Sequence, residues 1–282
     1  MRKALIYILT ALMLIALLSG CDASDKQGKE PSTEQGGENK NENELELKLD
    51  KETDTYTVTG IGDFDGEELF IPSEYNKKAV TAVADHAFMA NSKITSVTIP
   101  ESITSIGEWA FCDCENLTEI TLTDNLVYIG ADAFSGTAYF KDEQKWEDGA
   151  LYIGSYLISI KKDIIAENYS IRPDTKTVAD FVFSYCESLR SVILPDSVIN
   201  IGSRAFTGCS NLTEIELGKE VKHIGEGAFF ECTALESIRF NGTMSEWEEI
   251  TKEINWDYYS NTYTVTCSDG VIEPTGKINL IQ

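Results

Sequence analysis

The sequence predicts a mainly β fold, a solenoid of stacked coils, and two observations carry that expectation. An Ala-Phe pair recurs at Ala87-Phe88, Ala110-Phe111, Ala133-Phe134, Ala205-Phe206 and Ala228-Phe229, with Val182-Phe183 as a variant. The phenylalanines stand 23, 23, 49, 23 and 23 residues apart. In the same phase run ITSVTI (94–99), LTEITL (117–122), LRSVIL (189–194), LTEIEL (212–217) and LESIRF (235–240), each apolar at its first, fourth and sixth positions. The last two apolar residues of each segment alternate with outward-facing ones, which is strand periodicity. One such unit cannot bury its apolar side alone. Stacked units can, with strands paired in parallel and each Phe lying on its equivalents, at about 4.8 Å per coil.

Taken from the N-terminus, the first 43 residues stand outside the repeat. Arg2 and Lys3 precede an almost wholly apolar run from Ala4 to Leu18, too short and too soon polar for a comfortable membrane span. Residues 1–20 therefore read as a signal segment. It ends in Leu18-Ser19-Gly20-Cys21, which resembles the lipobox of bacterial lipoproteins. That resemblance implies cleavage before Cys21, a diacylglyceryl group on its sulfur, and display on the outer face of a bacterial membrane. Two or three acyl chains anchor stably where one is marginal. The stretch 21–43 is polar and acidic, without aromatic or β-branched aliphatic residues to bury, and is expected to be a disordered tether.

The repeat domain is expected over 44–282. Four residues before each repeat Phe stands a small residue: Ala84, Gly107, Gly130, Ala179, Gly202 and Gly225. These are expected to let the backbone turn tightly. One step earlier lies an aliphatic: Val83, Ile106, Ile129, Val178, Ile201 and Ile224. The spacing of 49 is two repeats plus three, so an insertion falls between Phe134 and Phe183. The pattern L-x-x-I-x-(I/L)-P-x-x-(V/I)-x-x-I-G-x-x-A-F-x-x-C-x-x-L resembles the 23-residue leucine-rich repeats of BspA-like bacterial surface proteins, from about Tyr56 to Gly270. The resemblance implies a right-handed leucine-rich repeat solenoid with short strands and turn or 3-10 segments. It makes 71–88 the first repeat and about 138–163 a hairpin-like insertion. It also makes 241–282 a closing segment that caps the open sheet end.

The Cys112-x-Cys114 pair raises the question of a metal or redox site. Cys114, Cys186, Cys209 and Cys232 each stand three residues after a repeat Phe, where the other repeats have Asn91 and Thr137. That phase makes them an inward ladder, and Cys is readily buried. Cys112 follows Phe111 directly, at a variable outward position, so the repeat separates the two thiols where a zinc site needs convergence. Packing is the expectation, with no metal and no cofactor.

Composition excludes more than it selects. A net charge of −24 argues against nucleic acid, whose phosphates need Lys and Arg. The two histidines, His86 and His223, are far apart in the array, and the glycines belong to repeat turns, so no triad or phosphate loop is expected. What remains is the exposed strand face. Ser96 and Thr98, Glu119 and Thr121, Ser191 and Ile193, Glu214 and Glu216, then Ser237 and Arg239 are expected to form one two-column strip, the kind of surface solenoids use for binding. Trp247, Trp256, Tyr258, Tyr259 and Tyr263 are expected to seal the last coil, with sugar recognition as the alternative. The family resemblance implies a monomeric surface protein that binds host or bacterial surface proteins. A glycan-binding module or a structural envelope component is the alternative.

Overall fold

A computed structural model describes residues 44–273; the signal segment 1–20, Cys21, the tether and the end of the closing segment lie outside them. The chain forms a β-solenoid whose regular coils have three sides: a longer strand, a shorter strand, and a turn carrying the Ala-Phe pair.

The longer strands stack in parallel at the register the repeat dictates. Glu68–Phe70, Ser96–Thr98 and Glu119–Thr121 make one sheet. Asn168–Ser170, Ser191–Ile193, Glu214–Leu217, Ser237–Phe240 and Thr264–Cys267 make another. The shorter strands form a second column, through Ser105–Ile106 and Tyr128–Ile129, then Thr177–Val178, Asn200–Ile201, His223–Ile224 and Thr251–Lys252. Each end is finished by an antiparallel strand, Glu46–Asp50 on Thr55–Gly60 at the start and Gly270–Ile272 on Thr264–Cys267 at the close. The closing segment is thus itself another coil before it becomes a cap, with helix Met244–Glu249 held by a Thr243–Glu246 capping box.

Inside, the repeat phenylalanines are stacked rings. Phe88, Phe111 and Phe134 lie 5.0 and 5.4 Å apart, and Phe183, Phe206 and Phe229 lie 4.8 and 5.3 Å apart, all within 16° of parallel. The coil rise sets this spacing, which suits offset stacking. Cys114, Cys209 and Cys232 are fully buried, and each thiol donates to the carbonyl of the repeat Phe one coil back, at 3.0–3.1 Å. Burial pushes the Cys114 thiol up to about 11. In the same ladder Asn91 Oδ1 accepts from the backbone of Lys93 and Ile94, and Thr137 caps the helical turn that follows it. The ladder is packing, as its phase predicts. Cys112 is partly exposed, unlike the buried ladder thiols.

The small residues before each Phe serve a different purpose from the one expected. Gly107, Gly130, Gly202 and Gly225 have ordinary φ, but a Cβ there would fall 2.4–2.6 Å from atoms of the preceding coil, mostly backbone. They permit close approach of coils. The tight turning is done two residues either side of the Phe, in the left-handed region, at most positions by non-glycines: Trp109 and Asp113 (φ 53 and 56), Phe181 and Tyr185 (59 and 54), Arg204 then Gly208 (53 and 68).

The insertion interrupts both columns. Tyr139 N–H donates to Leu117 O, beginning a new coil, but the chain then makes a helical turn at Ala138–Lys141 and the antiparallel strands Trp146–Glu147, Ala150–Ile153 and Tyr156–Ile160. No strand follows Glu119–Thr121 in its sheet, so Ile120 and Leu122 are only partly buried where Val97, Val192, Ile215 and Ile238 are fully so. Specific polar contacts bridge the seam. Tyr156 Oη donates to Thr123 O at 2.7 Å and accepts from Leu126 N–H at 3.1 Å. Asp180 N–H donates to Ile129 O at 3.1 Å, and its carboxylate takes a hydrogen bond from Ser203 N–H at 2.7 Å and another from Tyr128. Burial pushes the Asp180 carboxyl up to about 7 despite those donors.

Candidate functional site

The strand face is built by alternation. Val97, Val192, Ile215 and Ile238 point into the core, so their flanking residues point out. Register then sets the columns: Ser191, Glu214 and Ser237 are neighbours, and so are Ile193, Glu216 and Arg239. Ser96 pairs with Glu119 and Thr98 with Thr121 in the other sheet. The ten residues therefore do not form the single strip expected of them. The insertion divides it, leaving Ser96, Thr98, Glu119 and Thr121 in the three-stranded sheet and the rest in the six-stranded one. Sequence reading also missed neighbours that extend both halves. Glu68 and Phe70 lie beside Ser96 and Thr98, while Asn168 and Ser170 lie beside Ser191 and Ile193, and Thr264 and Thr266 beside Ser237 and Arg239. Their segments break the Ala-Phe spacing, so only the alternation in ELF (68–70) and TVTC (264–267) could have signalled them.

The larger half is polar and internally paired. Arg239 reaches Glu214 at 2.7 Å and Glu216 at 3.3 Å, Asn241 donates to Glu216 at 3.1 Å, and Ser191 donates to Asn168 at 2.7 Å. Exposed pairs of this kind contribute little stability, about 0–1 kcal/mol each, so they hold the side chains in place more than they hold the fold. Ile193, 44% exposed, is the apolar centre of this surface.

Two other concave places stand apart from it. An open hollow of about 600 Å³ in the insertion is lined by Tyr139, Lys145, Glu147, Tyr152, Arg172 and Asp174. Its ring faces are already covered, Arg172 lying 4.1 Å over Tyr152 and Lys145 5.0 Å over Tyr139, and Arg172 is paired with Glu147 and Asp174. A cavity of about 20 Å³ beside Thr177, Asp180, Asn200 and His223 has room for one water. His86 packs edge-on to Trp109 and His223 lies 3.3 Å from Glu253, in separate coils.

The aromatic end divides in two. Trp247 is buried against Phe240, Trp256 meets Phe229 edge-on, and Tyr263 packs on Trp256, so these three seal the last coil. Tyr258 and Tyr259 do not seal it, being 46% and 56% exposed.

Six copies of the BspA type leucine rich repeat region match this chain, over residues 81–165 and 161–253, more than half its length. The chain belongs to the BspA-type leucine-rich repeat family. Among solved structures, the BspA-type array is similar to a leucine-rich repeat protein of T. pallidum, at 27% identity over 70% of this chain and 82% of that one, with a TM-score of 0.39. A leucine-rich repeat protein from Bacteroides ovatus is 21% identical over 79% and 75%, with a TM-score of 0.35. The pneumococcal vaccine antigen PcpA is 15% identical over 80% and 87%, with a TM-score of 0.33. No curated protein matches the chain.

Proposed function

We propose that this BspA-type array is a lipid-anchored bacterial surface protein that binds other proteins through its strand face, as an adhesion module without catalysis. The observation that carries this reading is the face of the larger sheet. Five coils present two columns in register, polar and paired around an exposed Ile193. A solenoid surface of that form is extended enough to hold a macromolecule. The Leu18-Ser19-Gly20-Cys21 run supports the address, and the acidic tether beyond it would hold the array off the membrane.

The test is binding of the full-length protein to immobilised matrix proteins, mucin and a glycan array, at low and physiological salt. The expected result is a saturable protein hit, weakened about tenfold by Ile193→Asp or by Glu214→Lys with Glu216→Lys. A sugar hit insensitive to those changes would replace this reading with a glycan-binding one. Silence throughout would favour a structural envelope role. A clickable fatty acid should label the protein in cells, and Cys21→Ser should abolish the label.

A further inference from the structure

We propose that the turn side of the array, at its C-terminal end, is a docking site for a Lys or Arg side chain of a protein partner, received between the rings of Tyr258, Tyr259 and Phe230 and the carboxylate of Glu231. This face is separate from the strand face and does not depend on it.

The repeat itself assembles the site. Two residues after the repeat Phe, the left-handed position is occupied in successive coils by Tyr185, Gly208 and Glu231, and Tyr259 continues it, with φ of 54, 68, 59 and 57. Backbone hydrogen bonds lock that column, from Tyr185 N–H to Thr207 O, Gly208 N–H to Phe230 O, and Glu231 N–H to Tyr258 O, at 2.7, 2.8 and 3.0 Å. Gly208 has no side chain, and the Tyr185 ring lies over it, so closely that a Cβ there would meet a ring carbon at 2.4 Å. Along the column, Glu231 therefore lies between Gly208, which the Tyr185 ring covers, and Tyr259. Beside it, Tyr258 and Tyr259 lie 4.1 Å apart and Phe230 meets Tyr259 edge-on at 5.6 Å.

Three properties select the occupant. Tyr185, Tyr258 and Tyr259 are 62%, 46% and 56% exposed, so ring surface is open to a ligand while Trp247, Trp256 and Tyr263 do the sealing. Among the described residues no Lys or Arg is paired with Glu231, unlike Glu214 and Glu216. A cation beside aromatic faces and an unpaired carboxylate gains from both. At longer range the chain's net charge of −24 attracts basic partners and repels acidic ones.

The test titrates the full-length protein with a fluorescent Lys-rich peptide, with the same peptide acetylated on every Lys, and with a neutral oligosaccharide. The Lys peptide should bind and the acetylated one should not. Tyr258→Ala with Tyr259→Ala should weaken binding about tenfold and Glu231→Gln at least about threefold. Tyr258→Phe with Tyr259→Phe should retain it, because the rings remain. Glu220→Gln, the same charge change elsewhere on the surface, should cost less than about twofold. Equal losses for Glu220→Gln and Glu231→Gln would overturn the site in favour of diffuse charge attraction. Unchanged binding by the double Ala variant would overturn it too, as would oligosaccharide binding that is lost with the tyrosines. The strand-face changes Glu214→Lys and Glu216→Lys should affect this titration no more than Glu220→Lys does, so failure here is distinguishable from failure of the strand-face reading.

Discussion

Asp180 occupies the same repeat position as Asp85, Glu108, Ser203 and Glu226, yet it is the one at the seam, against Tyr128 and Ile129, and it is 5% exposed. Its folded-state pKa is raised from 3.8 to about 7, chiefly by burial. The folded protein then holds a proton that the unfolded chain releases, so stability falls as pH rises between about 4 and 7 and levels off above. The contribution is on the order of 1 kcal/mol per pH unit across that window. Urea unfolding from pH 4 to 8 should show this slope, and Asp180→Asn should flatten it, since the amide oxygen can still accept from Ser203 N–H. A slope shared by both proteins would assign it to other groups. Nothing local in Val178-Ala179-Asp180-Phe181 announces the burial. Likewise Gly202 was legible as a turn residue, but its true constraint is a Cβ 2.6–2.7 Å from Ala179 and Asp180, one coil away.

Among the elements, the short strands needed only the repeat: their alternation sets which side is buried, and the register of 23 sets what each residue stacks on. The insertion needed the third dimension. The family resemblance implied a hairpin here, and strands Ala150–Ile153 and Tyr156–Ile160 form one, but it did not imply how they dock. Tyr156 is 1% exposed and its hydroxyl engages Thr123 and Leu126, on the far side of the seam. Tyr156→Phe leaves the Thr123 carbonyl and the Leu126 N–H without that partner, and should destabilise the protein by about 1–3 kcal/mol. A urea midpoint unchanged within error would show that the seam does not rely on this contact.

As a whole molecule the solenoid is quasi-one-dimensional, its coils stabilised mainly by nearest neighbours. Because the phenylalanine stack is broken between Phe134 and Phe183, the seam is expected to be the weakest of those junctions. Hydrogen exchange should therefore be uneven, with Glu119–Thr121, at the edge of its sheet, exchanging at least tenfold faster than Glu214–Leu217, which is paired on both sides. Equal protection at the two strands would mean that the insertion couples the halves as tightly as a regular coil does. The same break divides the candidate strand face into two halves.

What the sequence determined by itself follows from periodicity. A 23-residue repeat specifies coil length, strand register, the Phe stack and the inward Cys ladder, because in a stacked array each residue's neighbours are its own equivalents. What only the tertiary structure decided lies where that translation fails. At the insertion and at the last coil, neighbours are no longer equivalents, so the divided strip, the buried Asp180 and the exposure of Tyr258 and Tyr259 depend on contacts between segments with no shared pattern. Local sequence carries the period, and long-range packing decides where the period is broken.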